Sequence, residues 1–278
     1  MIQINECFSR IEQAASIFFD AQVWRKASFR IYELNGIFRQ KDEEFISILN
    51  AVRTGDITSV IIDKLNTRVT KKAPSDNILT LATTNRVVSE INAQHLQSLK
   101  SKEYTFNASV TGTMGKSVQP TETTLRLKKG AQVMLVRNDK AKRWANGSIG
   151  RVYSCDSDIV RVEVNGRIYT VAPETWKTIE YAYDSVADAV VELTTSSFTQ
   201  LPIKLAWAVT IHKAQGQTLE DVIIDFAQGT FAHGQAYVAL SRCVSFRRLY
   251  LTRPIRAADI IVDNRVAAFM AESSPAAK

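Results

Sequence analysis

The sequence predicts an α/β protein built around parallel strands, with an antiparallel β-rich segment inserted in the middle. An apolar run at Ile78–Thr83 leads straight into a helical pattern at Arg86–Leu99. A second run, Val222–Phe226, is followed by a helix that ends near Ser241. Between them the pattern becomes alternating, and Asn165-Gly166 is the preferred dipeptide of a two-residue hairpin turn. Alternation of strands and helices favours a parallel sheet in which helices form the crossover connections between neighbouring strands.

The composition fits a partner that carries many negative charges. The 278 residues suffice for roughly two domains of about 150 residues each, and a 45% hydrophobic content can build a core. There are 35 Lys and Arg against 28 Asp and Glu, a formal charge of +7. Nucleic-acid-binding proteins share this balance with ribosomal, membrane-surface and ordinary cytosolic proteins.

Cysteine usage and the N-terminus indicate a cytoplasmic protein. Cys7, Cys155 and Cys243 are scattered, so we expect a reducing compartment and no metal site. No apolar run approaches the ~18 residues that span a bilayer. Glu6 and Arg10 stand where a signal peptide would be apolar. We therefore expect no membrane partner.

The first clear element is a helix that Asp42 caps and Gly55 ends. Its apolar face consists of Phe45, Ile48, Leu49 and Val52. A short helix around Ser59–Leu65 then leads into a loop at Pro74-Ser75-Asp76. Residues 1–16 are assigned only as an N-terminal extension.

Thr84-Asn85 occupies the junction between the strand Ile78–Thr83 and the helix that follows it. Free backbone N–H groups at such a junction can hold a phosphate. An ordinary helix cap explains Thr and Asn equally well. The apolar stripe of the helix is predicted as Val88, Ile91, His95 and Leu99, and His95 is assigned to packing.

Gly115-Lys116-Ser117 resembles the end of a phosphate-binding loop without fulfilling its pattern. The motif G-x-x-x-x-G-K-[ST] requires a first glycine at position 110, where this chain has Val110. Pro120 also argues against the helix that must follow. We expect no phosphate cradle here.

The β-rich part is predicted as short strands at Arg151–Tyr153, Ile159–Val164 and Arg167–Val171, joined by Ala189–Leu193 into one antiparallel unit. A surface that binds a nucleic-acid strand and a solvated face are equally good interpretations of its exposed polar side chains. The side chains concerned are Arg151, Arg161, Arg167 and Tyr169.

Leu201–Leu219 combines an apolar setting with a polar cluster. We expect a mostly buried helix that stops at Gly216. Buried polar groups cost free energy unless they meet partners, so the cluster indicates a function, although a wet helix face would also explain it. The cluster consists of Thr210, His212, Lys213 and Gln215. Asp225 lacks the neighbouring glutamate of a magnesium-binding Walker B strand.

The remaining elements are a strand at Arg248–Thr252 and a helix near Asn264–Met270. The final SSPAAK is expected to be disordered.

Two stretches in the right order resemble a known family. TIHKAQGQTL followed by YVALSR looks like motifs V and VI of superfamily 1 helicases, in the PIF (petite integration frequency) and RecD-like branch. Phe38-Arg39-Gln40 is similar to motif IV, and PTETTLRLKKGAQVMLVRND fits a further family pattern. The resemblance runs from about Ile17 to about Phe269.

This resemblance implies a RecA-like lobe, with the P-loop NTPase-like fold but without its own P-loop. The lobe would comprise residues 17–146 and 200–270, with a small β-barrel of the Src-homology-three type inserted at 147–199 and a disordered tail at 271–278. Arg39 and Arg242 would be catalytic and, with Gln40 and Gly216, would contact ATP. The implied contacts to single-stranded DNA are Thr84, Asn85, Thr210, His212, Lys213 and Gln215.

The family's P-loop lysine, D-E pair and G-D-x-x-Q-L-P-P step are missing from this sequence. The resemblance therefore implies the C-terminal half of a 5′–3′ DNA helicase whose ATP and Mg²⁺ are held mainly by an N-terminal lobe. The chain alone is expected not to hydrolyse ATP. A stand-alone single-strand-binding module and a non-functional helicase fragment remain alternatives.

Overall fold

The computed structural model describes residues 17–27, 29–32, 37–72, 74–75, 77–115, 119–157, 159–184 and 188–273. The described residues form two compact units, 17–37 with 264–273 and 38–263. The extension predicted at 1–16 and residues 274–278 of the tail predicted at 271–278 lie outside the described residues, whereas residues 271–273 are helical.

Helices come first, a strand–helix pair follows, and a β-rich segment then precedes the last strands and helices, which is the order that the sequence predicts. The helices are α1 (Gln22–Lys26), α2 (Glu43–Thr54), α3 (Ser59–Asn66), α4 (Asn85–Ser98), α5 (Gln235–Leu240) and α6 (Asn264–Ser273). The first strands are β1 (Leu79–Ala82), β2 (Glu103–Asn107), β3 (Ser109–Thr111), β4 (Thr124–Lys128), β5 (Gln132–Leu135), β6 (Ile149–Cys155) and β7 (Val160–Val164). The others are β8 (Arg167–Val171), β9 (Glu174–Asp184), β10 (Ala189–Gln200), β11 (Ile203–Leu205), β12 (Ala208–Thr210), β13 (Val222–Asp225) and β14 (Leu249–Leu251).

The smaller unit is held by aromatic contacts. The rings of Phe19 and Phe269 stack with centroids 4.5 Å apart, and those of Trp24 and Phe29 stack at 4.6 Å. Arg265 donates to the Asp20 carboxylate at 3.2 Å. Aromatic burial and one exposed ion pair therefore join α6 to the segment around α1.

The larger unit begins with the helix that the sequence predicts at Asp42. The Asp42 carboxylate accepts from the backbone N–H groups of Glu44 and Phe45 at 3.1 and 3.3 Å. Gly55 ends α2 with φ +84°, a left-handed conformation that glycine adopts without strain. The predicted apolar face is buried, which confirms this element and its cap.

A four-stranded parallel sheet forms the centre of the larger unit, in the order β12-β1-β13-β14. The chain between the parallel neighbours β13 and β14 contains α5. The predicted α/β fold with parallel strands is therefore confirmed.

Antiparallel sheets lie between β1 and β12 in sequence. Strands β11-β5-β6-β7-β8 form one sheet, and the Asn165-Gly166 turn has positive φ at both residues, as a type I′ hairpin requires. The strand predicted at Ala189–Leu193 was assigned to the wrong partners, since β10 pairs with β9 and β3. The sequence analysis missed the hairpin β9–β10, although its two strands follow each other directly in the chain.

The surface predicted on the β-rich segment does not form as one face. Arg151 is paired with Glu163, and Arg161 with Thr170, on the exposed face of the sheet. Tyr169 is paired with the buried Val162 on the opposite face. Because side chains alternate across a strand, Tyr169 cannot share a binding surface with Arg151 and Arg161.

The helix predicted at Leu201–Leu219 is wrong. The segment contains β11, β12 and a short 3₁₀-helix, Ile211–Ala214. Strand β12 is buried at all three positions because helix α4 covers this parallel sheet. A short apolar run has no periodicity that separates a buried strand from a buried helix, and Val209 and Thr210 favour the strand.

The side-chain amides of Asn92 and Gln132 form hydrogen bonds with backbone groups on the outer side of β12 and of the residues just before it. Asn92 of α4 accepts from Ala208 N–H at 2.9 Å and donates to Ala208 O at 3.0 Å. Gln132 donates through its side chain to Ala206 O at 2.9 Å, and its own carbonyl accepts from Ala206 N–H at 2.9 Å. Helix α4 is thereby fixed against β12.

The buried face of α4 differs from the predicted stripe. Val87, Asn92 and Leu96 are the buried positions, one residue away from the stripe that the apolar side chains suggested. The polar Asn92 belongs to this face because its amide meets the β12 backbone. His95 stacks on Trp207 at 5.3 Å between ring centroids, in agreement with a packing role.

Candidate functional site

The carboxyl ends of β1 and β12 lie side by side. The parallel register pairs Ala82 with Thr210. Beyond β1, the Thr84 hydroxyl accepts from Val87 N–H at 3.4 Å and caps α4. At the end of β12, the Thr210 hydroxyl accepts from Lys213 N–H at the same distance and caps the 3₁₀-helix. Ligands of open α/β sheets bind at this edge, so the two capped turns form a candidate site.

A cleft of about 1300 Å³ opens at this edge. Among the predicted nucleic-acid contacts, Asn85, Thr210, Lys213 and Gln215 line it. Thr84 is the cap just outside, and the exposed His212 faces the ring of Phe231 with centroids 6.4 Å apart. The structure therefore brings four of the six predicted residues to one cleft.

Lys204 is a cleft residue that the sequence analysis missed. It lies on β11 and lines the cleft together with Lys213. Burial, followed by the neighbouring charge of Lys213, lowers the pKa of Lys204 to about 8, and Glu122 opposes this change. Its signal in the sequence was a lysine inside the apolar stretch PIKLAW, which reads as an ordinary solvated side chain before the pairing of β11 is known.

Arg39 and Gln40 contact residues about 200 positions later in the chain. Arg39 donates through Nε to the Thr218 hydroxyl at 2.9 Å and through Nη1 to Ser241 O at 3.1 Å. The Gln40 amide donates to Ser241 O at 3.0 Å and to Cys243 O at 2.7 Å. The segment similar to motif IV is therefore bonded directly to the segment similar to motif VI.

Arg242 is held rigidly next to Arg39. Only 8% of it is exposed, and its guanidinium donates to Val238 O at 3.0 Å, Gln217 O at 3.3 Å and the Ser241 hydroxyl at 2.9 Å. Burial, and then the charge of Arg39, lower the pKa of Arg242. Within the described residues neither arginine has an ion pair with a carboxylate, so the two cations are a candidate site for an anion.

Gly216 lies between the two groups of residues. Its φ is +86°, and a Cβ atom there would meet nothing within 4 Å. Gly216 and Gln217 line the cleft together with Thr210, Lys213 and Gln215, and Gln217 and Thr218 are the hydrogen-bond partners of Arg242 and Arg39. One short segment, 210–218, therefore contributes to both the cleft and the arginine pair.

Asp225 has a structural role in this arrangement. Its carboxylate accepts from Ala227 N–H at 2.8 Å and from the Thr252 hydroxyl at 3.1 Å. Lys116 and Ser117 of the P-loop-like stretch lie outside the described residues. Across the described ranges, no group of three acidic, histidine or cysteine side chains could hold a metal ion, and no helix has the length and apolarity to cross a bilayer.

Comparison with known proteins gives consistent results. No family profile matches the chain. It is 34% identical over 231 residues to the ATP-dependent DNA helicase PIF1 of Xenopus laevis, covering 81% of this chain and 35% of that protein. It is 32% identical over 253 residues to ATP-dependent DNA helicase Pif1 of Bdellovibrio bacteriovorus, covering 89% of this chain and 55% of that protein. The chain thus spans between about a third and just over half of these relatives.

Solved structures agree with the sequence comparison. Bacteroides Pif1 bound to single-stranded DNA superposes with a TM-score of 0.76 at 31% identity, covering 98% of this chain and 63% of that one. Pif1 helicase from Candida albicans superposes with a TM-score of 0.75 at 28% identity, covering 92% and 64%.

The fold is that of a RecA-like lobe with an inserted β domain, as in superfamily 1 helicases. More particularly, the chain is related in sequence and in fold to the Pif1 helicases, and the resemblance to the PIF and RecD-like branch is confirmed.

Proposed function

We propose that this chain is the C-terminal motor lobe of an ATP-dependent 5′–3′ DNA helicase, acting together with an N-terminal RecA-like lobe. The observation that carries the proposal is the pair Arg39 and Arg242, two rigidly held guanidinium groups without a described acidic partner. The Pif1 relatives are ATP-dependent DNA helicases by name.

The arginine pair suits the terminal phosphate of ATP. Phosphoryl transfer places negative charge on the transferred group, and catalysis consists mainly of positioning and charge stabilisation. Arg39 and Arg242 would supply that stabilisation, since two guanidinium groups can donate to several phosphate oxygens. Gln40 keeps the backbone of Ser241 and Cys243 in place. Gly216, which has no side chain, would leave room for the nucleotide. Mg²⁺-bound ATP would supply the phosphoryl group, held mainly by the other lobe.

The cleft suits the backbone of a single strand. Asn85, Thr210, Lys213 and Gln215 provide hydrogen-bond donors and a charge at the carboxyl edge of a sheet, and α4 directs its free N–H groups to the same place. A Bacteroides Pif1 structure was solved with single-stranded DNA, and another with ADP-AlF3 as well. Thr84 would act by holding the start of α4, and His212 by contacts outside the cleft.

Segment 210–218 would connect the two activities. A strand that moves Lys213 or Gln215 would also move Thr218, the hydrogen-bond partner of Arg39. Gly216 is the residue in this segment with positive φ and open surroundings, so it can absorb a change in backbone angles. Strand binding would in this way alter the position of Arg39.

The test combines the chain with the N-terminal lobe of Bacteroides Pif1, as separate or fused polypeptides, and measures ATP hydrolysis with and without single-stranded DNA. We expect hydrolysis that the strand stimulates. Arg39→Ala or Arg242→Ala should lower turnover by about 10³-fold or more, as for arginines that act across an interface. Strand binding should survive both changes.

Two control variants are available. Arg247→Ala removes an exposed arginine near Arg242, and Lys116→Ala removes the lysine of the P-loop-like stretch; neither should change hydrolysis. Strand binding without any gain in hydrolysis would identify a stand-alone binding module instead. Hydrolysis by the chain alone that disappears in Lys116→Ala would overturn the proposal.

A further inference from the structure

Lys204 and Lys213 bring two ammonium groups together in the cleft. Lys204 lies on β11, where the antiparallel register pairs it with Met134 of β5. Lys213 belongs to the 3₁₀-helix Ile211–Ala214. Both side chains and Met134 line the cleft, and the charge of Lys213 acts on the Lys204 ammonium group. Two cations from different elements therefore converge on one place.

Few negative charges of the described residues neutralise the positive charges of Lys204 and Lys213. In the ranges that the structure describes, neither ammonium group has an ion pair with a carboxylate, although Glu122 lies near enough to act on Lys204. Like charges at short range repel each other, and partial burial strengthens the repulsion because less water screens it. A bound anion would relieve both costs.

Building on the proposed binding of a single strand, we propose that Lys204 and Lys213 hold one phosphodiester group between them, and that loss of the Lys204 charge weakens strand binding in mildly alkaline solution. A phosphodiester carries the single diffuse charge that two ammonium groups can share. Lys213 faces Lys204 from the 3₁₀-helix, Glu122 from the segment before β4, and the uncharged Met134 from β5.

The sign of the pH effect follows from the ordinary behaviour of a lysine in such a position. Because the pKa of Lys204 is lowered to about 8, its side chain carries a positive charge near pH 7 and is uncharged in clearly alkaline solution. A bound phosphate favours the charged form, so binding above that pKa requires uptake of a proton. Strand affinity should therefore decrease as the pH rises through this range.

The test measures the binding of a short fluorescein-labelled oligodeoxyadenylate by fluorescence anisotropy, at constant ionic strength, from about pH 7 to about pH 9, where ordinary lysines stay charged. Lys204→Met removes the charge at similar length, and Lys204→Arg keeps it throughout. Lys71→Met, an exposed lysine elsewhere, is the matched control.

We expect the unchanged chain and Lys71→Met to lose about tenfold in affinity across this range, as for one lost phosphate contact. Lys204→Met should bind about tenfold more weakly at neutral pH, with a log–log salt slope smaller by ~0.7 and almost no pH dependence. Lys204→Arg should bind well at both ends of the range.

Wild-type affinity and slope in Lys204→Met would overturn this contact. If that variant did not fold, Lys204→Arg would decide alone, because an alkaline decrease equal to that of the unchanged chain would exclude Lys204 as its source. Absence of strand binding by the unchanged chain would instead overturn the proposed function together with this contact.

Discussion

Arg39 donates its Nε–H to the hydroxyl of Thr218 at 2.9 Å, across 179 positions of the chain. Thr218 ends the segment that begins in the cleft at Thr210. The hydrogen bond therefore joins the region proposed to bind the strand to the region proposed to meet the nucleotide. A single substitution at Thr218 can remove this hydrogen bond, so the proposed coupling can be tested directly.

Thr218→Val should reduce this coupling, because it removes the hydroxyl while keeping the shape of the side chain. A hydrogen bond to a charged group contributes about 1.5–3 kcal/mol, so strand-stimulated hydrolysis by the combined lobes should fall by about tenfold or more. Hydrolysis without the strand should change less. Thr105→Val on the exposed side of β2 is the control, and an equal effect on both rates would contradict the coupling role.

Lys213→Ala should weaken strand binding through the backbone. Losing one phosphate contact should make the log–log dependence of affinity on salt shallower by ~0.7 for a single strand. Titration of an oligonucleotide at several salt concentrations measures this directly. An unaltered affinity together with an unaltered slope would remove Lys213 from the contact surface.

Gln40→Leu should destabilise the larger unit. The buried Gln40 amide donates to two carbonyl oxygens, and leucine would leave Cys243 O without this bond, whereas Ser241 O would keep its bond from Arg39. An unsatisfied buried group costs about 1–3 kcal/mol, so the free energy of unfolding should fall by about 1–3 kcal/mol in a urea titration. The neighbouring exposed Lys41→Leu is the control, and equal stability of the two variants would exclude this role.

Asp259 should make the protein sensitive to acid. Burial raises the pKa of its carboxyl, but hydrogen bonds from Arg253 and Arg256 outweigh burial and hold the pKa below its ordinary value. A carboxyl with a lowered pKa stabilises the fold above its unfolded pKa of about 3.9, and this contribution disappears as the pH falls through the folded pKa.

Asp259→Asn should therefore lose about 3 kcal/mol at neutral pH, because Arg253 loses a nearly buried partner. Its stability should also depend less on pH in acid than that of the unchanged chain. Urea titrations between neutral pH and about pH 3 measure both effects. Parallel acid curves for the two proteins would show that other carboxyls cause the loss.

Local signals in the sequence were sufficient for caps and for a turn with a distinctive dipeptide, but not for the hairpin β9–β10. Asp42 and Thr84 cap their own helices, and Asn165-Gly166 specifies its own turn, so all three could be predicted. The segment around β12 could not, because its conformation depends on pairing with β1 and on cover by α4. Lys204 escaped notice for the same reason, since its neighbour Lys213 lies on a different element.

The structure brings the motif residues of the proposed arginine site together more completely than those of the proposed strand site. Arg39, Gln40 and Arg242 carry sequence signatures, and all three donate to Ser241, the first two to its backbone carbonyl and Arg242 to its hydroxyl. In the proposed site for the nucleic-acid strand, His212 belongs to the motif TIHKAQGQTL but is not among the residues that line the cleft. A motif records which residue types occur together, whereas the direction of each side chain follows from the turn in which it lies.

The amide side chains of Asn92 and Gln132 also affect how this protein behaves in crowded solution. Strand β12 ends the parallel sheet, and an outermost strand with free N–H and C=O groups can recruit a strand from another molecule. Here Asn92 occupies the groups of Ala208 and Gln132 those of Ala206, in the place of a fifth strand. The Asn92 amide cannot propagate the sheet, so it blocks the addition of another strand at Ala208 on this edge.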